Sequence, residues 1–159
     1  MIISKNTQNH LEIKTKKATI DFNGEVKIND IELDGEGEYE VGEVSIEGLD
    51  DNCYVFQIED LSVGSLDFKE KIPKDQIERL SNTDVLIVRV DGKAPEAVEQ
   101  VNQIEPSVAI YLGDENSAKA IADAGVHTEK IENIKLSKSD IPTEGKAYFI
   151  EVGNANSIS

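Results

Sequence analysis

Four side chains stand where short apolar runs give way to polar ones: Asp67 after LSVGSL, Arg89 and Asp91 at the end of VLIVRV, and Asp114 after VAIYLG. In open α/β sheets, ligand crevices form outside the carboxyl ends of strands, so Arg89 and Asp91 are candidates for a small polar site. A divergent hydrolase or small-ligand binder could use the loop ends at Asp67, Asp91 and Asp114. The plainer reading is an arginine paired with a nearby acid, because structural and functional ion pairs share one sequence pattern. Metal chemistry has less to work with. The only histidines are His10, which stands alone, and His127, in the polar stretch Gly-Val-His-Thr. Zinc requires several N, S or O donors converging within about 2.0 to 2.3 Å. Cys53 is the only cysteine, which excludes an internal disulfide and a thiolate cluster, and in CYVFQI it reads as a small buried thiol.

The elements that must hold these residues fall into two kinds. His10 to Lys14, Lys17 to Phe22, Glu25 to Ile28, Ile31 to Leu33, Tyr39 to Ile46, Cys53 to Glu59 and Leu61 to Gly64 are strand-like, and Asn-Gly, Asp-Gly and Asp-Asp-Asn turn signals separate them. A meander of hairpins is expected. Pro73 can start a helix through Leu80. Asp84 to Val90 is then the nearly continuous apolar run required of a strand buried on both faces. Ala94, Ala97, Val98, Val101 and Ile104 recur at helical spacing, and an apolar stretch from Ser107 to Leu112 follows, which makes a βαβ unit. Another helix is expected from Glu115 to Ala124, with Asp114 as N-cap and Gly125 past its end. Strands near Lys130 to Leu136 and Lys146 to Val152 complete one domain over residues 1–152. Residues 153–159 are expected to form a disordered tail.

Composition narrows the partners. With 32 acidic against 16 basic residues, the formal charge is −16, which opposes contact with a nucleic-acid backbone. No apolar run reaches signal-peptide or membrane-span length, so no membrane is expected and the location expected is cytoplasmic. Thirteen acids and no Lys or Arg lie between Ile28 and Phe68. They alternate with Ile31, Leu33, Tyr39, Val41, Val44 and Ile46, which puts carboxylates on one sheet face and apolar side chains on the other. A solvated face accounts for this pattern; the sharper alternative is a docking surface for a basic partner, with Glu36, Glu38 and Glu40 at its centre. A calcium loop is a poor match. Asp30, Glu32, Asp34, Gly35, Glu36 and Glu38 imitate the start of an EF-hand, but Val41 falls where the closing glutamate belongs, and neither flank is helical.

The order of these motifs resembles the small hydrolases of the metallo-β-lactamase superfamily. Gly35-Glu36-Gly37-Glu38-Tyr39-Glu40-Val41 is similar to their GPGEYEV segment, Asp84 to Val90 to the strand before a double glycine, and Ile104-Glu105-Pro106 to their IEP tripeptide. The resemblance implies an αββα sandwich and a zinc-dependent hydrolytic site. The metal-binding positions of that family are changed here. A His-x-His-x-Asp-His loop has no counterpart, and the half-domain that would carry it is expected to be missing. Val63-Gly64-Ser65-Leu66 replaces a histidine-bearing loop, with Asp67 one position out of register for its aspartate. Asp91-Gly92 replaces the double glycine, and the last histidine falls on Gly113.

The expectation is therefore an α/β or α+β domain that forms half of the metallo-β-lactamase-like sandwich, with N-terminal hairpins followed by β-α-β-α-β. It is expected to have no metal, no cofactor and no hydrolase activity, and to act in protein interaction or regulation. Helices 94–104 and 115–124 can cover only one face of the central strands. A second copy is the expected cover for the other face, which makes a homodimer the expectation. The N-terminal hairpins are the alternative lid.

Overall fold

Alternation of period two runs through nearly every strand and sorts the apolar side chains into two separate layers. The computed structural model describes residues 1–23 and 25–153. In the first sheet β1 (Ile2–Lys5), β2 (Leu11–Lys14), β3 (Thr19–Asn23), β4 (Glu25–Ile28) and β5 (Ile31–Glu32) form an antiparallel meander. The second sheet opens with the antiparallel strands β6 (Gly37–Val41), β7 (Val44–Asp50), β8 (Cys53–Ile58) and β9 (Leu61–Phe68). It continues with β10 (Val85–Val90), β11 (Val108–Gly113), the two-residue β12 (Glu129–Lys130) and β14 (Lys146–Glu151), running parallel to their neighbours. The remaining strand, β13 (Asn133–Lys135), crosses to pair with β1 in the first sheet. The second sheet has the order β12-β14-β11-β10-β9-β8-β7-β6.

Helices α1 (Lys74–Leu80), α2 (Ala94–Ile104) and α3 (Glu115–Asp123) supply the crossovers. They all pack on the same face of the second sheet, where Leu80, Ala97, Val101 and Ile121 meet Leu86, Val88, Ala109 and Tyr111. On the opposite face Val85, Ile87, Val108, Ile110 and Ile150 meet Ile3, Leu11, Ile13, Ile20 and Phe22 from the first sheet. Each such aliphatic side chain removed from water contributes about 1.5–3 kcal/mol, so β10 and β11, buried at every position, are held from both sides. The protein is thus a mixed α and β domain of two sheets and one helical layer, more of the sandwich than a half. The face expected to lie open is covered by the chain's own N-terminal hairpins, so the alternative lid is the one found. A homodimer would have to use some other surface.

Several elements differ from expectation for identifiable reasons. Tyr39 to Ile46 is a hairpin rather than one strand: Gly42 and Glu43 both have positive φ, 57° and 65°, the twist a two-residue turn of type I′ demands. Lys130 to Leu136 splits into β12 and β13 because the chain changes sheets there. Strand β1, which the sequence reading omitted, covers the core through Ile3, fully buried. Gly153 is pinned, with its N–H donating to Asn9 O at 3.0 Å; the rest of the expected tail, 154–159, lies outside the described residues. Among the described residues no helix is long and apolar enough to cross a membrane.

The Gly-x-Gly-x-Tyr motif has a packing role. The carbonyl oxygen of Gly35 would lie 2.1 Å from a Cβ on Gly48, so β7 admits only glycine there. The N–H of Gly35 donates to Tyr54 Oη at 3.0 Å, and Tyr39 Oη donates back to Gly35 O at 3.3 Å. The segment that carries much of the family resemblance therefore fastens the connection between the sheets onto the second sheet.

Candidate functional site

Residue parity along β9 and β10 decides what faces the gap between the sheets. On β10 Val85, Ile87 and Arg89 share the inner face, and on β9 Val63, Ser65 and Asp67 do; Arg89 and Asp67 are register partners in the parallel pair. Arg89 is 5% exposed. Its Nη1 donates to Gly153 O at 3.3 Å and its Nη2 to Phe22 O at 3.4 Å. One guanidinium therefore ties the end of the central strand to β3 of the hairpin sheet and to the segment leaving β14. The cavity beside it, lined among others by Phe22, Tyr54, Asp67 and Arg89, holds about 30 Å³. That is the volume of about one water molecule, far below the ~300 Å³ of the smallest ordinary ligand pockets.

Asp67 is largely buried, and Lys69 lies on the same side of the chain two residues on. Lys69 Nζ stands 3.5 Å from Asp67 Oδ1 and 3.8 Å from Asp91 Oδ2, bridging the two acids. Beyond this ion pair the buried Asp67 Oδ1 has no hydrogen-bond partner among the described residues. Burial raises the Asp67 carboxyl above its ordinary value; Asp91 adds to the rise, while Lys69 and Arg89 oppose it without cancelling it.

Asp114 is placed differently. It caps α3, its side chain accepting from Ser117 N at 2.9 Å, as the expected N-cap. The Ser117 hydroxyl lies 3.0 Å from the same carboxylate and 3.2 Å from Val90 O. Asp91 and Asp114 line one hollow of about 460 Å³ between the starts of α2 and α3, with Pro95, Asn116 and Ser117. The four residues expected to form one polar site therefore divide: Asp67 and Arg89 between the sheets, Asp91 and Asp114 on the helical side, with Lys69 spanning from Asp67 to Asp91. Lys69 was missing from the sequence reading, although an opposite charge two residues beyond Asp67 is a same-face signal on an extended strand.

The zinc ion implied by the resemblance can be tested against these residues. A Cβ on Gly113 would stand 2.6 Å from Ser117 Cβ and 2.9 Å from Val90 O, so the position aligned with the last metal-binding histidine has no room for a side chain. Asp67 already faces a lysine and an arginine, which would repel a dication. His10 Nδ1 lies 3.4 Å from Asp21 Oδ1 on the hairpin sheet, and His127 is exposed in the turn after α3. Among the described residues no three His, Cys, Asp or Glu side chains converge. The donors do not fit the group. Cys53, buried on the helical face of β8, has its thiol pushed up to about 12 by burial, with a further rise from Asp50, so it is a packing residue.

The acidic residues singled out for docking lie at the far edge of the second sheet. Glu36 is exposed in the connection between sheets, and Glu38 and Glu40 project from the outer face of β6. Arg79 from α1 pairs with Glu47 beside them.

No family model and no curated protein matches the chain. A solved structure from Thermotoga maritima, described as a candidate zinc-dependent hydrolase of the metallo-β-lactamase superfamily, matches it with a TM-score of 0.73 at 19% identity. At that identity the likeness establishes the fold, which is metallo-β-lactamase-like. The alignment covers 96% of this chain and 99% of the other. Set against this neighbour no half-domain is absent, which corrects the expectation of a missing half.

Proposed function

We propose that the chain is a non-catalytic, metal-free domain of metallo-β-lactamase-like fold that serves protein interaction or regulation. One observation carries the reading: the Arg89 guanidinium, at the strand ends between the sheets, is bonded to the backbone carbonyls of Phe22 and Gly153. A charged group there could have faced a substrate. Here it fastens three segments together and leaves a gap of about 30 Å³. The crowding of Gly113 supports the same conclusion. The direct test is elemental analysis of dialysed protein together with assays on lactam, thioester and phosphodiester substrates. No stoichiometric zinc, iron or manganese and no turnover are expected; one equivalent of metal or measurable turnover would overturn the proposal.

A second reading has its own support. The hollow of about 460 Å³ bounded by Asp91 and Asp114 is within the size range of small-molecule sites, and a small-ligand binder or divergent hydrolase would use it. Against this, Asp114 is engaged as a helix cap and Asp91 faces Lys69.

A further inference from the structure

The second sheet ends in a strand with one unpaired side. Among the described residues β6 pairs only with β7, and its outer hydrogen-bonding edge has no strand beside it. Hairpin geometry determines which groups that edge presents. Gly42 and Glu43 form a two-residue turn, so the flanking pair Val41 and Val44 exchanges both backbone hydrogen bonds, and the alternation continues through Tyr39–Ile46 and Gly37–Gly48. The intervening residues, Glu38 and Glu40, direct N–H and C=O away from β7.

The same two residues set the chemistry of the surface. Their carboxylates border a groove of about 460 Å³ with Ser45, Glu47, Gln57 and Arg79, on the part of the sheet's outer face that the helices leave uncovered. Arg79 is engaged by Glu47, and the nearby Lys17 by Glu43. Neither Glu38 nor Glu40 meets a cation among the described residues. On the inner side of β6 the half-buried Tyr39 and Val41 pack against the inter-sheet core. An added strand would thus find carboxylates along one face and apolar side chains along the other. A second copy is a poor occupant, because antiparallel pairing of β6 with itself sets Glu38 opposite Glu40 of the copy, and like charges directly opposed destabilise a ladder.

We propose that β6 is a docking edge for an extended segment of a partner protein in which basic and apolar residues alternate, taken up by strand addition. The inference rests on the reading of the chain as an interaction module. The segment adds antiparallel to β6, so its lysines sit opposite Glu38 and Glu40 with their backbone N–H groups pointing at β6, whereas the apolar residues' N–H groups point away.

This asymmetry gives the test. The probe is a short labelled peptide alternating lysine and valine, titrated with the full chain by fluorescence anisotropy. Its affinity should fall by about tenfold or more when the backbone nitrogens of the lysines are methylated, through loss of hydrogen bonds, and hold when the backbone nitrogens of the valines are methylated. Replacing both acids, Glu38→Gln with Glu40→Gln, should weaken binding and flatten its salt dependence. Glu40→Pro should abolish binding while leaving the β6–β7 ladder intact, since the proline removes only an outward donor. Equal loss from both methylation patterns, or none from either, would reduce the contact to charge attraction and overturn the strand addition. Absence of binding to the unmodified peptide would overturn the docking edge itself. Stoichiometric metal or turnover would instead defeat the interaction-module reading beneath it.

Discussion

Ser117 and Gly113 are packed so closely that a Cβ on Gly113 would stand 2.6 Å from that of Ser117. The helix that follows β11 is seated on the strand by this approach, and the Ser117 hydroxyl continues the contact to the end of β10. Overpacking of a well-filled site destabilises by about 1–3 kcal/mol. Gly113→Ala should lower stability by that amount in urea denaturation. Gly113→Ala should cost less when introduced into a Ser117→Gly background than into the parent, although Ser117→Gly itself forfeits the hydroxyl's contacts with Val90 and Asp114.

Arg89 joins three segments that are far apart in sequence. Its removal leaves two carbonyls without their charged donor, and hydrogen bonds to charged groups are worth about 1.5–3 kcal/mol each when well formed. These are long, at 3.3 and 3.4 Å, so Arg89→Leu should cost about 1–3 kcal/mol in total. Thermal denaturation reads the difference, and the amide of Gly153 should exchange faster in the variant than in the parent.

Asp67 predicts a pH dependence with a definite sign. Its folded pKa is raised by burial, while the unfolded chain titrates near the ordinary carboxylate value of about 3.9. The folded state therefore binds the proton more tightly. The associated stability is full below about pH 3.9 and is lost as the pH rises through the raised folded value. Asp67→Asn should accordingly be more stable than the parent at pH 7 and lose that advantage in acid. Carboxyl NMR titration should place Asp67 above the usual range and Asp140, which accepts from the Ser137 backbone N–H and hydroxyl, below it.

Much of the architecture was legible in the sequence because burial leaves a periodic trace. The apolar run at 85–90, the helical spacing of Ala94, Ala97, Val98, Val101 and Ile104, and the Asp114 cap each reflect a local constraint, and each appears in the structure. The turn at Gly42 and Glu43 was missed because Val41 and Val44 flank it without a polar break. The lid was misjudged for a different reason: Ile13 and Ile20 alternate as any one-sided strand does, and nothing in that pattern names the surface they cover. The site was less legible still. Arg89 was found from its position at a strand end and Asp67 from its place in the family resemblance, but the carbonyl partners of Arg89 lie 64 and 67 residues away in sequence, beyond the reach of local spacing.

Cys53 offers a probe of the core. With its thiol at about 12 and its side chain buried, it should resist maleimide or disulfide reagents at neutral pH in the folded protein. It should then label fully in denaturant, and the ratio of the two rates should follow the stability changes of Gly113→Ala and Arg89→Leu.

The central claim, that the strand ends carry a structural joint rather than a hydrolytic metal site, is tested most directly by titrating zinc into isotope-labelled protein while following the backbone amides of Asp67, Asp91, Gly113 and Asp114. The account predicts no saturable, one-to-one response at these positions, only weak shifts along the exposed acidic surface that disappear with added salt. A stoichiometric, salt-resistant response that converges on those four amides would contradict it.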